Sequence, residues 1–302
     1  MVTRVATAYS QQSAVLQMQK SNSSLALLTH QVSSGLKARR FEDLASDTNQ
    51  LLNLKDVTKN SAVYVKNIDT AQSRLTAQEG ALGTLSELIV EAANLWTLGR
   101  NENSAEVRAT MAPKAEGLAE SFYEVFKTKF DGKYIFSGQA SEQEPITASP
   151  AASLFPGDPP PTAYYTGDTA KPIVITGPGN TQTYGVTGDD MAFARLKAGL
   201  ETLWFGLQND SVPDIDGAID LLEQAQRDVS DLLGQVGGQI NGLNLVADRH
   251  EGNIVFLQER VDELEKVDIT EALSKFSQEE ATLEASMLVL ARLSNISLLD
   301  YI

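Results

Sequence analysis

A seam of apolar residues spaced alternately three and four apart constrains this chain more than any other feature. It runs through residues 54–96, which is six heptads, and eleven of its thirteen positions are apolar. Such a repeat is typical of two α-helices packed along their length. The positions are Leu54, Val57, Ser61, Tyr64, Ile68, Ala71, Leu75, Gln78, Leu82, Leu85, Ile89, Ala92 and Trp96. A break is predicted at 98–101, followed by a helix over about 104–130 that Pro113 should kink.

The same pattern returns in residues 219–264, where twelve of fourteen seam positions are apolar. Gln226 and His250 interrupt it, and we interpret His250 as a local imperfection of the seam and not as a ligand. Four closely spaced glycines lie in the middle of this predicted helix, and each costs up to about 1 kcal/mol relative to alanine. They predict either close approach by a neighbouring helix or a segment that becomes ordered only on assembly. These glycines are Gly234, Gly237, Gly238 and Gly242.

The two ends of the chain are predicted to be long amphipathic helices, over about 3–32 and 268–300. The first offers Val5, Tyr9, Leu16, Met18, Leu25, Leu28 and Val32. The second has a seam at Ile269, Leu273, Phe276, Glu280, Leu283, Met287 and Leu290, continued by Leu293, Ile296 and Leu298. We expect no intramolecular partner large enough to bury both helices. Their apolar faces therefore predict burial against other copies or other subunits.

The middle of the chain has a different composition. Eight of the ten prolines lie between Pro145 and Pro178. Short β-prone runs occur at 133–136, 163–166 and 173–176, and they predict strands joined by turns. Residues 177–180 (GPGN) superficially resemble a phosphate-binding loop. They lack the Gly-Lys-Ser/Thr ending and a following helix, so we interpret them as a turn.

These patterns predict a mainly α protein with a small β-rich insertion. The helices should form a long antiparallel coiled-coil rod with both termini at one end. The predicted domains are residues 1–40 with 268–302 as terminal helices, 41–131 with 191–267 as a helical rod domain, and 132–190 as an outward-facing β-rich insertion.

Composition excludes several classes of site. The chain has no cysteine, and its two histidines, His30 and His250, are far apart in sequence. That excludes a thiolate metal site and leaves little for a histidine-based metal site or a Ser/His/Asp triad. The formal charge of −16 argues against nucleic-acid binding. No apolar run reaches the ~20 residues that span a bilayer, and residues 2–19 lack the apolar core of a cleaved secretory signal.

Charge is distributed unevenly between the two ends. Residues 1–41 contain five basic side chains and no acid, whereas residues 259–302 contain ten acids and four bases. The simpler interpretation is that the charged side chains of each end form a solvent-exposed helix face. The sharper one is that the two ends lie beside each other.

Three sets of motifs carry a resemblance to a known family. Residues 31–37 (QVSSGLK) resemble the turn that ends the first helix of the flagellin superfamily, where Gly35 can adopt positive φ. Residues 130–138 (FDGKYIFSG), 144–146 (EPI), 165–168 (YTGD) and 185–189 (GVTGD) resemble the middle of the hook-associated proteins that join the flagellar hook to the filament. Residues 272–275 (ALSK) and 297–302 (SLLDYI) resemble their C-terminus.

The resemblance implies a structural subunit of the bacterial flagellum that assembles in a ring through its terminal helices. The implied partners are other copies of itself, a neighbouring hook-associated protein, flagellin and an export chaperone. The implied location is extracellular, by type III flagellar export without a cleaved signal, with no catalytic residue, cofactor or membrane insertion. The candidate assembly interface comprises Val5, Tyr9, Leu16, Ser33, Ser34, Gly35, Arg39, Arg40, Leu273, Phe276, Leu283, Met287, Leu290 and Ile296.

Three alternatives stay open at this point. One is a short flagellin that forms the bulk filament. Another is a cytoplasmic coiled-coil adaptor. A third is an enzyme with its site in the insertion, where Asp168, Asp189 and Asp190 could bind a cation. Carboxylates in such Gly/Asp turns more often form the turn itself, which is the interpretation we prefer.

Overall fold

The computed structural model describes residues 2–40, 47–102, 104–146 and 164–299, with backbone only at 2–8, 10, 11 and 293–299. Within these ranges the protein is mainly α with a small β insertion, as predicted. The helices are α1 (Val2–Ser34), α2 (Thr48–Asn101), α3 (Ala105–Phe126), α4 (Met191–Gln208), α5 (Val212–Glu265) and α6 (Ile269–Leu299). The strands are β1 (Lys129–Phe130), β2 (Lys133–Tyr134), β3 (Ile173–Gly177) and β4 (Asn180–Thr183). None of the described helices is long and apolar enough to cross a bilayer.

The strands form two antiparallel hairpins. In the first, Phe130 pairs with Lys133 across a tight turn. In the second, Ile173 pairs with Thr183, and the turn contains Gly179 at φ 71°. This confirms the interpretation of residues 177–180 as a turn, because positive φ is readily adopted by glycine. The predicted strand at 163–166 is reduced to a single bridge between Tyr165 and Ile146, and Ala163 lies outside the described residues.

The chain divides into two compact units, which we name by their position in the sequence. The terminal unit comprises Met1–Asn60 and Gly252–Ile302, and the central unit comprises Ser61–Glu251. The main hydrophobic core belongs to the central unit.

In the central unit, both predicted seams are confirmed. Every seam position of α2 from Ser61 to Trp96 is buried or half-buried, and so is every seam position of α5 up to His250. The two helices run antiparallel, because contacts between them pair rising numbers on one with falling numbers on the other. These contacts are Tyr64 with His250, Gln72 with Asn244, Ser86 with Gln226 and Arg100 with Asp216.

A cluster of aromatic rings fills the centre of this core. Phe126 lies 4.8 Å from Phe122, 5.1 Å from Phe136 and 4.9 Å from Phe193, measured between ring centroids. These residues come from α3, from the segment after β2 and from α4. The rings therefore join the helices to the insertion, and they contribute contact energy beyond the area they bury.

Two polar seam residues fix the insertion to the helices. Gln78 is only 1% exposed, and its Nε2 donates to the carbonyls of Ile135 (2.7 Å) and Val186 (2.9 Å). The Nε2 of His250 donates to the carbonyl of Thr176 at 2.7 Å. Interpreting His250 as a seam imperfection was therefore wrong, because it holds β3. Both side chains bind backbone atoms, so they position the insertion independently of its side chains.

Other details differ from the expectations. The third helix ends at Phe126 and not near 130, because β1 begins at Lys129; Pro113 lies inside it. The short helix α4 was not distinguished in the sequence. Nothing in the described part of the chain lies within 4 Å of where a side chain would begin at Gly234, Gly237, Gly238 or Gly242. The close neighbour predicted for these glycines is thus not supplied by that part of the chain.

Candidate assembly interface

The first element of the candidate interface is the turn that ends α1. Gly35 adopts φ 72°, and its N–H donates to the Gln31 carbonyl at 2.8 Å. The Ser34 hydroxyl donates to the His30 carbonyl at 2.7 Å and accepts from the Leu36 N–H at 3.2 Å. The positive φ predicted for Gly35 is confirmed. The Ser34 hydroxyl in addition satisfies a backbone group that the helix end leaves unpaired.

This turn is bonded to the segment that joins α5 to α6. The Lys37 N–H donates to the Glu265 carbonyl at 2.7 Å, and the Val267 N–H donates to the Gly35 carbonyl at 2.9 Å. The Lys37 ammonium also donates to the Glu263 carbonyl. The end of α1 therefore lies beside the start of α6, where Asp268 accepts from the Thr270 N–H at 2.8 Å as an N-cap.

Helices α1 and α6 pack against each other in antiparallel directions. Their contacting faces repeat every three and four residues, as in a coiled coil. On α1 the buried and half-buried positions include Ala14, Met18, Ser21, Leu25, Leu28 and Val32. On α6 they include Ala272, Phe276, Glu279, Leu283, Ser286 and Leu290. The prediction that the oppositely charged ends lie beside each other is confirmed. Each helix covers one face of the other, and large apolar side chains on their other faces stay exposed, so neither helix is fully buried within the chain.

A shallow groove runs between the two helices towards the start of α1. Its walls are mostly small side chains, including Ala14, Ala281, Ala285 and Ser286. Nearby in the same contact, the Ser21 hydroxyl and one carboxylate oxygen of Glu279 are buried with no hydrogen-bond partner. The groove and these two unpartnered oxygens show that this stretch of the α1–α6 contact leaves space and polar atoms unmatched.

The structure divides the predicted interface residues between two faces. Phe276, Leu283 and Leu290 are half-buried against α1. In contrast, 76% of Tyr9, 59% of Leu16, 52% of Leu273 and 46% of Met287 is exposed. Ser33, Ser34, Gly35, Arg39 and Arg40 lie at or just after the turn. Val5 and Ile296 lie within α1 and α6, but their side chains are outside the described residues.

Sequence reasoning missed that charged residues accompany the exposed apolar ones. Lys20 lies on the same face of α1 as Leu16, and Glu284 lies on the same face of α6 as Met287; both are exposed. The signal was present in the spacing, because residues separated by three, four or seven share a helix face. The apolar seam alone was considered, so these charges were passed over.

Several electrostatic contacts in the terminal unit lie close to the turn that ends α1. The Arg39 guanidinium donates to the Ala26 carbonyl of α1 at 2.7 Å. Lys55 of α2 forms an ion pair with Glu265 of α5. At the end of α5, the hydrogen bond from Lys266 lowers the pKa of the Asp262 carboxyl, and a second bond from Gln258 adds to the effect.

The acidic residues considered as a cation site act mainly in turns. Asp168 accepts from the Ala170 N–H at 3.0 Å, and Asp190 caps α4 by accepting from the Ala192 N–H at 3.0 Å. One oxygen of Asp189 is buried without a partner. No group of three or more metal-ligating side chains comes together within the described ranges. The turn-forming interpretation is confirmed for Asp168 and Asp190.

Comparison with known families identifies the chain. The model of the bacterial flagellin N-terminal helical region matches residues 5–141. The model of the bacterial flagellin C-terminal helical region matches residues 219–302, so the two together match well over half of the chain. This chain belongs to the bacterial flagellin family. As a member, it is a structural protein of the bacterial flagellum with helical coiled-coil character.

Solved structures of hook-associated proteins share the flagellin-family fold seen here. A Vibrio parahaemolyticus protein assigned as a flagellar hook-associated protein matches with a TM-score of 0.62 and 19% identity, over 72% of this chain and 97% of its own. Bacillus cereus FlgL matches with a TM-score of 0.57 and 16% identity, over 70% and 99%. Xanthomonas campestris FlgL matches with a TM-score of 0.52 and 14% identity, over 68% and 98%. A comparison with curated protein sequences gives no match.

Proposed function

We propose that this protein joins the flagellar hook to the filament and assembles through its two terminal helices. The observation that carries the proposal is the likeness to hook-associated proteins over 97–99% of their length. The motifs at 130–138 and 297–302 support the same choice.

The terminal unit supplies a physical basis for assembly. Tyr9, Leu16, Leu273 and Met287 expose large apolar surface on helices whose other faces already pack together. Burying one such side chain completely stabilises a complex by roughly 1.5–3 kcal/mol. Several of them on two helices would hold a subunit among its neighbours, and the same surface is unfavourable in water.

The proposed partners are other copies of this chain in a ring, a neighbouring hook-associated protein and flagellin, with an export chaperone before assembly. The proposed location is outside the cell, reached by flagellar type III export without a cleaved signal peptide. In this role the terminal helices line the inside of the assembly and the β-rich insertion faces outward. The role needs no catalytic residue, cofactor, metal, nucleic acid or membrane insertion.

A deletion strain tests this role. It should keep its hook and release unpolymerised flagellin into the medium, because filament subunits then have nothing to attach to. Electron microscopy and assay of flagellin in the culture supernatant measure both effects, and the intact gene should restore filaments. A deletion strain that builds normal filaments would refute the junction role.

A short flagellin is the second candidate, since both matching family models describe helical regions of flagellin. A filament subunit polymerises without limit, because each copy offers its neighbour the same pair of surfaces. A junction subunit must stop after few layers, so it should remain monomeric or form small oligomers at high concentration. Long tubes grown from the purified protein on filament seeds would make it a flagellin.

A further inference from the structure

Helix α1 carries an exposed stripe that is apolar and basic. Tyr9, Leu16, Lys20 and Leu27 are separated by seven, four and seven residues, which places them on one face of the helix. All four are exposed, and this face points away from α6. Since residues 1–41 contain no acid, the charge on this basic stripe is not neutralised by its own segment.

Helix α6 carries an exposed stripe that is apolar and acidic. Leu273, Glu280, Glu284 and Met287 are separated by seven, four and three residues and also share one face. All four are exposed, and they flank the face that packs on α1. The acidic stripe thus has the same periodicity as the basic stripe and the opposite charge.

The two stripes cannot meet within one chain, because α1 and α6 already contact each other through different faces. We propose that the basic stripe of one copy docks on the acidic stripe of a second copy of this chain. The proposal rests on the proposed function and adds the surfaces, the direction and the register. Charge complementarity identifies the partner: a second copy offers an acidic apolar stripe of matching repeat.

The direction and register follow from the helices. Copies related by rotation about an axis along the helices keep the antiparallel relation of α1 to α6 when α1 of one copy meets α6 of the next. An antiparallel pairing that places Leu27 opposite Leu273 also places Lys20 opposite Glu280. Leu16 then lies beside Glu284 and within one turn of Met287. Leu27 then meets Leu273, Lys20 pairs with Glu280, and Leu16 can reach Met287 past Glu284.

Such a contact is heterologous, because each copy uses its basic stripe towards one neighbour and its acidic stripe towards the other. Contacts of this type build rings or helical arrays and leave no closed dimer. A two-fold dimer would instead use both stripes of each copy between the same two molecules, and oxidation of such a pair would stop at a dimer without forming a ladder.

The chain contains no cysteine, so engineered cysteines can test the pairing without competing disulfides from native residues. A disulfide requires Cα atoms within about 7 Å of each other. The full-length double variant Leu27→Cys/Leu273→Cys, oxidised at high protein concentration, should shift from monomer to a ladder of linked oligomers. The matched control is Val15→Cys/Leu288→Cys, at exposed apolar positions outside both stripes, which should stay monomeric.

Mixing experiments separate contacts between copies from contacts within one. Leu27→Cys mixed with Leu273→Cys should give a linked heterodimer and little of either homodimer. Adding Lys20→Glu to the double cysteine variant should weaken the ladder, and adding Glu280→Lys to that chain should restore it. A monomer with an internal disulfide, homodimers as the main product, or no disulfide at all would each overturn the pairing.

The experiments distinguish failure of the stripe pairing from failure of the junction role. A ladder obtained together with normal filaments in the deletion strain would refute the junction role and leave the pairing intact. The absence of a ladder, together with loss of filaments in that strain, would support the junction role and refute the pairing.

Discussion

The central and terminal units use the same helical repeat and bury it to very different extents. In the central unit the seam, an aromatic cluster and the insertion form one continuous core. In the described part of the terminal unit, the buried apolar side chains are Leu28, Leu51, Val261 and Ala272. The central unit completes its own core, whereas the terminal unit leaves much of its apolar surface in water.

The difference shows that amphipathic periodicity specifies a helix without specifying its partner. Where the chain itself provides the partner, a polar residue in the seam can form specific hydrogen bonds, as Gln78 does with the backbone of the insertion. Where the chain provides it only for one face, the remaining stripe stays exposed on α1 and α6. A unit of the second kind gains stability mainly on association, because burial of apolar area is the dominant favourable contribution.

The largest expected effect on stability comes from making the same substitution, Phe to Ala, in each of the two units. Phe126→Ala removes a fully buried ring from the aromatic cluster, and such changes cost about 3–5 kcal/mol of unfolding free energy. Urea denaturation followed by circular dichroism measures the loss. The matched control is Phe256→Ala, because Phe256 lies in the terminal unit and is mostly exposed.

Surface substitutions of this kind usually change stability by less than about 0.5 kcal/mol, so Phe256→Ala should leave the urea midpoint almost unchanged. Equal losses for the two variants would contradict the distinction between a completed and an incomplete core.

The next effect concerns the polar anchor of the insertion. Gln78→Leu keeps a side chain of similar size but leaves the N–H and the carbonyl of Val186 without their partner, and it removes the shorter of the two bonds to the Ile135 carbonyl. Each buried group left without a partner costs roughly 1–3 kcal/mol. Hydrogen exchange should show faster exchange around Val186, together with a lower urea midpoint. Gln258→Leu is the control, because Gln258 is exposed in the terminal unit; a comparable loss there would argue against the anchor.

The sequence predicted what depends on local spacing and missed what depends on distant partners. The seams of α2 and α5, the turn at Gly35 and the turn at Gly179 follow from residues within a few positions. Gln78 and His250 looked like seam faults because their carbonyl partners lie 57, 108 and 74 residues away.

The face that joins α1 to α6 was predicted only in part. Leu28, Phe276 and Leu283 belong to the predicted apolar sets and lie on this face. Its small members, such as Ala14 and Ser21, were missed, whereas Leu16 of the predicted set points outward. Hydrophobicity predicts which surface will eventually be buried. It does not say whether the same chain or another molecule buries that surface. The single apolar seam predicted for α6 therefore combined two faces, of which one packs on α1 and the other is exposed.

A third pair of variants sharpens the comparison within α6. Leu283→Asp places a carboxylate against α1, where an unsatisfied polar group costs about 1–3 kcal/mol, so amides of both helices should exchange faster in the monomer. Met287→Asp is exposed and should leave the monomer unchanged. In the deletion strain, however, Met287→Asp should be exported and fail to restore filaments. Normal filaments with Met287→Asp would contradict burial of this face on assembly.

The smallest expected effect is a loss of folding stability at alkaline pH that arises in the central unit. Burial raises the pKa of the Tyr164 phenol above its ordinary value, and the charges of Asp189 and Asp190 raise it further. Above pH about 10 the unfolded chain releases this proton while the folded chain retains it, so stability is full below that pH and falls as pH rises.

Tyr164→Phe removes the bond to the Gly188 carbonyl, which should cost about 0.5–1.5 kcal/mol at neutral pH. It should also make the urea midpoint fall less steeply between neutral and alkaline pH. Tyr9→Phe in the terminal unit is the control, since its phenol is exposed and its loss should leave the slope unchanged. A slope as steep in Tyr164→Phe as in the unaltered protein would show that other groups govern alkaline unfolding.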